Sequence, residues 1–436
     1  MSYTYRKKKG NLVKNMTFQN IAIYYPTLEF IGGIESVIIQ QLRIFKNAGY
    51  KCHIITDVPI VRCVDTVSVN KIVVAQDAQR SINLQRAIET NGIEVILING
   101  ATFPSTMSDI QAIHKVGAKV ILTIHFSFPS PIIFNDAWSC YKINREIGQM
   151  CDAVVTVSRA DAKWWRALGC NAFYVQNPFE ISAKSSESKS QGNVIVWVGR
   201  EVEAKQMHEA FKIVSEIKRK IPDVVLRVVG PKLSVSTKNT LQQLDIENNV
   251  QFYPNEKNVS QHYAAAKVHL LTSITESFCL VIIEAKSHAV PTVMYSIPFL
   301  ELVRDGRGII EVEQHNTKVA VSEIEKLLRD ENYRLDLGQQ AIDSLDNFND
   351  EAVLVGWKNV FANLKNPGEN TGEPDDFNMY VKQIFDAWEY QRVKNQFKID
   401  FFEELSKMTH NDGSCLVNIF MRFVVNPLKY IKGKIR

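Results

Sequence analysis

The sequence has few cysteines, and they are not arranged as in a disulfide scaffold or a zinc site. Seven are scattered over 436 residues, at positions 52, 63, 140, 151, 170, 279 and 415. No two of them form a C-x-x-C pair, and no Cys/His spacing matches a metal site. An extracellular disulfide framework would be denser and paired. We therefore expect reduced thiols in a cytoplasmic protein.

Long apolar runs, a strong net charge and a signal peptide are also missing. No run of about 18 uncharged apolar residues occurs, so no membrane span is expected. The basic N-terminal tail, residues 1–17, lacks the apolar stretch of a signal peptide. The formal net charge of +4 is too small to indicate a nucleic acid as partner. The fingerprint G-x-G-x-x-G follows none of the predicted strands, which argues against a nicotinamide or flavin enzyme.

What the sequence does have is length and a repeated pattern. A chain of 436 residues exceeds the size at which one hydrophobic core keeps growing. In both halves, short apolar runs rich in Val, Ile and Leu alternate with amphipathic segments, as in βα units around a buried parallel sheet. We predict an α/β fold of two Rossmann-like domains facing a cleft, with a helical C-terminal extension.

A polar stretch rich in Ser and Lys divides the two halves. It covers residues 181–192, has no apolar period and is typical of a linker. It separates an N-terminal domain, 18–180, from a C-terminal domain, 193–348. A helix is expected over 349–366, crossing back to the N-terminal domain, and a helical, basic extension over 367–436.

Two glutamates bracket an apolar run in the second half, TESFCLVIIEAKS. Glu276 is predicted in the loop after the strand KVHLLTS, and Glu284 about two turns into the next helix. In open parallel sheets, ligands bind beyond the carboxyl ends of the strands, and a helix N-terminus there favours anions. The two carboxylates could hold opposite ends of an extended ligand. The alternative is that both are solvated surface side chains.

Other candidate site residues follow predicted strands in both halves. Arg200 and Lys205 come after VIVWVG, and such a pair of cations can hold a diphosphate. Gly32 and Gly33 precede a helix and permit close backbone approach to a ligand. His125 follows AKVILTI and would face the same cleft. The alternatives are solvated cations, a tight turn and a histidine without a ligand role.

In combination these segments resemble glycosyltransferase family 4, the retaining GT-B enzymes, over about residues 18–365. The matching segments come in the family's order. They are GGIE, VILTIHF, DAVVTVSRADAKWW followed by VQNPFE, VWVGREVEAKQ, and TESFCLVIIEAKSHAVPTV.

The resemblance implies a catalytic set of three residues. Arg200 and Lys205 would bind the donor diphosphate and stabilise charge on the leaving group. Glu276 would hold hydroxyls of the donor sugar, and Glu284 would bind the ribose hydroxyls. Family members need no metal, and no Asp-x-Asp stands at a strand exit here.

The resemblance also implies substrate-binding residues outside that set. Gly32 and Gly33 would let the N-terminal domain approach the phosphates, and His125 would contact the transferred sugar. Residues 277, 278 and 279 would bind substrate through backbone N–H groups. They read Ser277, Phe278 and Cys279, where the family usually has Gly-Phe-Gly, and Ala289 stands where a glycine is usual. The two added side chains at 277 and 279 are expected to narrow the space for the donor.

The function implied is transfer of a sugar from a UDP- or GDP-sugar to a glycan or lipid-linked acceptor, in lipopolysaccharide or capsule biosynthesis, with no cofactor. The departures at 277 and 279 motivate an alternative, a catalytically idle GT-B-like protein that binds a partner glycosyltransferase or a glycan. A sugar-nucleotide epimerase would need further acid and base residues in the cleft, and the sequence offers no convincing set.

The last 22 residues carry five basic and no acidic side chains beside an apolar face. Such a segment suits peripheral contact with an anionic membrane surface. The alternative is a helix packed on the domains with a solvated charged tail.

Overall fold

The computed structural model describes residues 18–28, 32–59, 67–100, 105–128, 137–179, 192–256, 258–297 and 299–365. The predicted tail 1–17, the extension 367–436 and all but the last residue of the linker 181–192 lie outside these residues.

The first lobe is a parallel sheet with helices between its strands. Its strands are β1 (Asn20–Tyr24), β2 (Lys51–Thr56), β3 (Asn70–Val73), β4 (Val95–Asn99), β5 (Lys119–Ile124), β6 (Ala153–Thr156) and β7 (Ala172–Tyr174). Its helices are α1 (Gly33–Asn47), α2 (Arg80–Asn91), α3 (Thr106–Lys115), α4 (Ala137–Met150) and α5 (Arg159–Ala167). The strand order is β3-β2-β1-β4-β5-β6-β7, with Ile23 of β1 opposite Ile54 of β2 and Leu97 of β4.

The second lobe repeats this plan with a six-stranded sheet. Its strands are β8 (Val194–Val198), β9 (Val225–Gly230), β10 (Val250–Pro254), β11 (Val268–Leu271), β12 (Thr292–Tyr295) and β13 (Ile309–Val312), in the order β10-β9-β8-β11-β12-β13. Its helices are α6 (Met207–Lys218), α7 (Val235–Gln243), α8 (Ser260–Ala264), α9 (Leu280–Ser287), α10 (Thr317–Arg329) and α11 (Glu331–Ser344). Short 3₁₀ turns cover Glu203–Lys205, Glu247–Asn249, Glu301–Val303 and Leu345–Asn347.

Burial explains the apolar strands. Every residue of β4 and β11 is buried, as expected for central strands of a sheet with helices on both faces. β3 differs, since it lies at the edge of its sheet and its residues Asn70, Lys71 and Val73 are exposed. The two parallel sheets with interleaved helices confirm the predicted α/β fold of two Rossmann-like units.

A last helix returns from the second lobe to the first. α12 (Asp350–Lys365) packs on α1, where Trp357 and Phe361 lie against Phe45. The Phe45–Trp357 ring centroids are 5.6 Å apart in an edge-on contact. Because these aromatic rings are buried against each other, α12 joins the C-terminal end of the second lobe to the first lobe.

The lobes also share apolar packing. One buried cluster contains Phe128 of the first lobe and Phe278 of the second, each at most 3% exposed. Among the described residues, no helix combines the length and the apolar character needed to cross a bilayer.

Candidate functional site

The loop after β8 presents two cations at the carboxyl edge of the second sheet. Arg200 is exposed, and Lys205 ends the 3₁₀ turn that leads into α6. The loop passes close to the end of β9, where a Cβ on Gly230 would lie 2.2 Å from the carbonyl oxygen of Gly199. Gly230 also has φ +117°, so glycine is needed there for both space and conformation.

The loop after β11 lies directly against this turn. The Lys205 Nζ donates a hydrogen bond to Glu276 Oε1 at 2.5 Å. Thr272 Oγ1 donates to the Lys205 carbonyl at 2.8 Å, and the Ile274 N–H donates to the Ala204 carbonyl at 2.9 Å. These bonds hold the cation-bearing turn and the loop of Glu276 as one unit.

The Lys205–Glu276 ion pair is mostly shielded from water. The side chains of Lys205 and Glu276 are 19% and 11% exposed. Burial alone would lower the pKa of Lys205, but the adjacent Glu276 carboxylate outweighs it, and the pKa is raised above 10.5. The nearby Arg200 charge opposes this rise, which places Arg200 within electrostatic reach of Lys205. Lys205 is therefore charged at neutral pH.

Glu284 is held by a buried tyrosine. Tyr263 of α8 donates a hydrogen bond from its hydroxyl to Glu284 Oε2 at 3.0 Å. Burial raises the pKa of Glu284, while this hydrogen bond and the Lys205 charge act in the opposite direction. Tyr263 was not singled out from the sequence, because nothing in SQHYA distinguishes it from a core residue.

The helix that carries Glu284 begins later than the sequence indicates. α9 starts at Leu280, so Glu284 lies just over one turn into it rather than two. The reason is Cys279, which caps the helix with φ 67° and ψ 68°, in the left-handed region. Ala289, after the same helix, has φ 56°. Two of the three positions where the sequence replaces an expected glycine, 279 and 289, thus have the backbone conformation that glycine adopts at least cost, whereas Ser277 does not have a positive φ.

Residues 277 to 279 are positioned by contacts away from open solvent. Phe278 and Cys279 are 1% and 7% exposed, so neither side chain is open to a ligand. Burial raises the pKa of the Cys279 thiol well above its usual value, so the thiol is neutral. Ser277 instead donates a hydrogen bond from Oγ to the carbonyl of His125 at 2.6 Å, across the two lobes.

His125 follows β5 and lies between two asparagines. Its Nε2 is 2.7 Å from Asn99 Oδ1, and its Nδ1 is 3.1 Å from Asn177 Oδ1. Burial lowers the pKa of His125 to about 4, so the ring is neutral and has one N–H to donate. One of the two amides must therefore present its NH₂ group to the ring. The sequence does contain a signal for Asn99, because it is the only polar residue of the buried strand VILIN and stands at the end of that strand.

Gly32 and Gly33 begin α1 at the exit of β1, and both are exposed. The Gly32 N–H donates to Glu35 Oε2 at 3.0 Å, and a Cβ on Gly32 would come within 2.7 Å of that oxygen. A Cβ on Gly33 would meet nothing within 4 Å. Within the described ranges, no hydrogen bond or ion pair connects these glycines to Lys205 or Glu276.

The structure thus brings Lys205, Glu276, Glu284, Ser277 and His125 into one connected group at the facing edges of the two sheets. Such a group can offer a cation to phosphate oxygens and carboxylates to hydroxyls. In the described part of the chain, no three His, Cys, Asp or Glu side chains are arranged to hold a metal ion.

Two family descriptions match the chain in succession. Residues 31–179 match "Glycosyltransferase Family 4", and residues 178–344 match "Glycosyl transferases group 1". Together they cover residues 31–344, which include every candidate residue named above but not β1 or α12.

Curated relatives carry related names. An uncharacterized glycosyltransferase of Haemophilus influenzae is 25% identical over 61% of this chain and 75% of its own length. A D-inositol 3-phosphate glycosyltransferase of Corynebacterium aurimucosum is 29% identical over 39% of this chain and 42% of its own.

Solved structures share the fold. TarM from S. aureus, in a complex with fondaparinux, α-GlcNAc-glycerol and UDP, superposes with a TM-score of 0.68 at 12% identity, over 79% of this chain and 100% of that chain. Anabaena HepE, in a complex with UDP and glucose, gives a TM-score of 0.66 at 15% identity over the same shares.

Proposed function

Because the chain belongs to glycosyltransferase family 4 and has the GT-B fold, we propose that it is a retaining transferase that moves a hexose-like sugar from a UDP- or GDP-sugar to a glycan or glycolipid of the cell envelope. The observation that carries the proposal is the Lys205–Glu276 ion pair, in which Nζ and Oε1 are 2.5 Å apart. The two residues lie in the loops after β8 and β11, at the edge of the second sheet that faces the other lobe. Arg200 and Lys205 take the diphosphate of the donor, and Glu276 takes hydroxyls of the sugar.

The electrostatics of this group support those roles. Lys205 is charged and partly shielded from water, so its attraction to a phosphate oxygen is stronger than that of a fully solvated lysine. As the bond to the leaving diphosphate breaks, negative charge grows on the phosphate, and the two cations stabilise it without reorganising. Glu284, fixed by Tyr263, accepts hydrogen bonds from the ribose hydroxyls.

The names of similar proteins support a nucleotide-sugar donor and a glycan acceptor. The TarM and HepE structures contain UDP, and the apo enzyme WaaB, described as a lipopolysaccharide outer core galactosyltransferase, has the same fold with a TM-score of 0.58 at 16% identity over 80% of this chain. An exopolysaccharide phosphotransferase of Streptomyces coelicolor matches 66% of this chain and 30% of its own length. We take from these the class of reaction and not a particular sugar.

The test is turnover by variants of the ion pair. Release of UDP or GDP from UDP-glucose and GDP-mannose is measured for wild type, Lys205→Ala and Glu276→Ala. Both variants should lose transfer while melting cooperatively. Lys212→Ala and Glu216→Ala remove the same charges from α6, where Lys212 pairs with Glu209 and Glu216 with Arg219, and should keep full activity.

Calorimetry with UDP and GDP separates the proposal from its alternative. A nucleotide that binds wild type and binds Lys205→Ala weakly supports the transferase. Wild type that binds neither nucleotide, yet retains a partner glycosyltransferase, would instead identify the idle GT-B-like protein. Unchanged turnover in both ion-pair variants would refute the proposed site.

A further inference from the structure

Two side-chain hydrogen bonds join the lobes on either side of Glu276. Ser277 donates from Oγ to the carbonyl of His125 at 2.6 Å. The hydroxyls of Ser127 and Thr275 are 2.9 Å apart, and both residues are 4% exposed. Thr275 and Ser277 are the two chain neighbours of Glu276, so the glutamate is tethered to the first lobe from both sides.

We propose that this two-point contact, formed by Ser277 with His125 and by Ser127 with Thr275, positions Glu276 for the transfer step. Ser277, Ser127 and Thr275 are then positioning residues, since their hydroxyls act through Glu276. The inference rests on the proposed function, because it assigns the residues that hold that same site in its working geometry.

The contact is placed to connect both halves of the site. On the first lobe it ends at His125, whose ring lies between Asn99 and Asn177. On the second lobe it ends at Glu276, which is bonded to Lys205. A shift of one lobe against the other therefore cannot move Glu276 relative to the His125 ring unless the hydroxyl contacts break first.

The hydroxyl at 277 has a role that a bare backbone cannot fill. Its acceptor, the carbonyl of His125, belongs to the residue just after β5 ends at Ile124. A glycine or alanine at 277 leaves this carbonyl without the hydroxyl, and the loop of Glu276 loses one of its two links to the other lobe. Lys205 and Glu284 lie wholly within the second lobe, so nucleotide binding does not depend on the contact.

The first experiment compares Ser277→Ala with Ser277→Gly. If the hydroxyl matters, both variants lose about two- to tenfold in kcat, the effect of one net hydrogen bond, while the Kd for UDP or GDP stays unchanged. If the side chain only fills space, Ser277→Ala behaves as wild type and Ser277→Gly alone differs. That second outcome overturns the proposal.

The second experiment uses the buried pair. Thr275→Val removes the hydroxyl and should lower kcat by a similar factor, whereas Thr275→Ser keeps it and should restore the wild-type rate. Ser127→Ala should add nothing to Thr275→Val, because both remove the same bond. Additive losses, or failure of Thr275→Ser to rescue, would contradict a role for this hydrogen bond.

A third measurement needs no donor sugar. Amide hydrogen exchange at residues 275–278 should be about two- to tenfold faster in ligand-free Ser277→Ala than in wild type, with the strands β8 and β11 unchanged. Equal exchange in the two proteins overturns the contact. The proposed function is judged on wild type alone, by nucleotide binding and turnover, so its failure is distinguishable from failure of this inference.

Discussion

Removing the positive charge of Lys205 should destabilise the second lobe through the carboxylate it leaves behind. At 2.5 Å the attraction between the two charges is about 7 kcal/mol with an effective dielectric constant of 20. Most of this attraction offsets the cost of removing two largely shielded ions from water. The pair therefore affects the free energy of unfolding strongly only when one partner is removed and the other is left unpaired. Breaking a buried pair costs about 3–5 kcal/mol, and the 11% exposure of Glu276 places the expected cost of Lys205→Met at about 3 kcal/mol.

The assay is a double-mutant cycle read by urea and thermal unfolding. Lys205→Met should lower Tm by roughly 6–12 °C for a lobe of this size. Adding Glu276→Gln removes the unpaired charge, so the double variant should regain about 2 kcal/mol relative to Lys205→Met. Equal stabilities of Lys205→Met and the double variant would refute the reasoning.

The pH dependence gives an independent check of the same pair. The folded pKa of Lys205 is raised above its ordinary 10.5, so the pair's contribution is fully present below pH 10.5 and is lost as the pH rises through the folded value. The difference between wild type and Lys205→Met should therefore be constant from pH 6 to 9 and shrink above pH 10.5.

Three further predictions concern backbone strain and buried titratable groups. Ala289→Gly should raise the free energy of unfolding by about 1 kcal/mol, because Ala289 has φ 56°. The control Ala362→Gly, on the exposed face of α12, should lower it by about 1 kcal/mol, and both are measured by urea unfolding. Glu284→Gln should raise the melting temperature of the ligand-free protein and weaken nucleotide binding. Because burial raises the pKa of Glu284, the stability that this variant gains over wild type should grow as the pH rises from 4.5 through the pKa of Glu284 in the folded protein. The pKa of His125 is lowered to about 4, so its ring should show no titration near pH 6.5 by NMR, and its contribution to stability should be lost between pH 6.5 and 4.

The sequence predicts the fold and part of the site because both follow from local patterns. Continuous runs such as VILIN and VIVWV are typical of strands covered on both faces, and polar residues just after them mark the carboxyl edge of the sheet. Since β8 and β11 are neighbours in the sheet, side chains at their exits must lie close together. The sequence thus places Lys205 and Glu276 at the carboxyl edge of the sheet, and the observed strand order makes their loops neighbours.

Other features depend on contacts between segments far apart in the chain. The bond from Ser277 to His125 spans 152 positions in sequence and requires the relative placement of two lobes. The bond from Tyr263 to Glu284 depends on how α8 and α9 pack. Neither a hydrophobic period nor a motif carries this information. Cysteine is rare in the left-handed conformation found at Cys279, and only the glycine usual at this position in the family points to it.

The ion pair also has a consequence for how a donor would enter the site. With Glu276 at hydrogen-bond distance, Lys205 already has an anionic partner, so a diphosphate must compete with that carboxylate for the ammonium group. If the phosphate wins, Glu276 is freed at the moment when sugar hydroxyls arrive, and the tethers at Thr275 and Ser277 keep it from swinging away. Under the proposed function, a single exchange of partners at Lys205 would thereby convert a stabilising ion pair into a phosphate ligand and a hydroxyl acceptor. Such an exchange would give this largely buried charge pair a role that an apolar pair of the same volume could not fill, although the apolar pair would stabilise the fold at least as well.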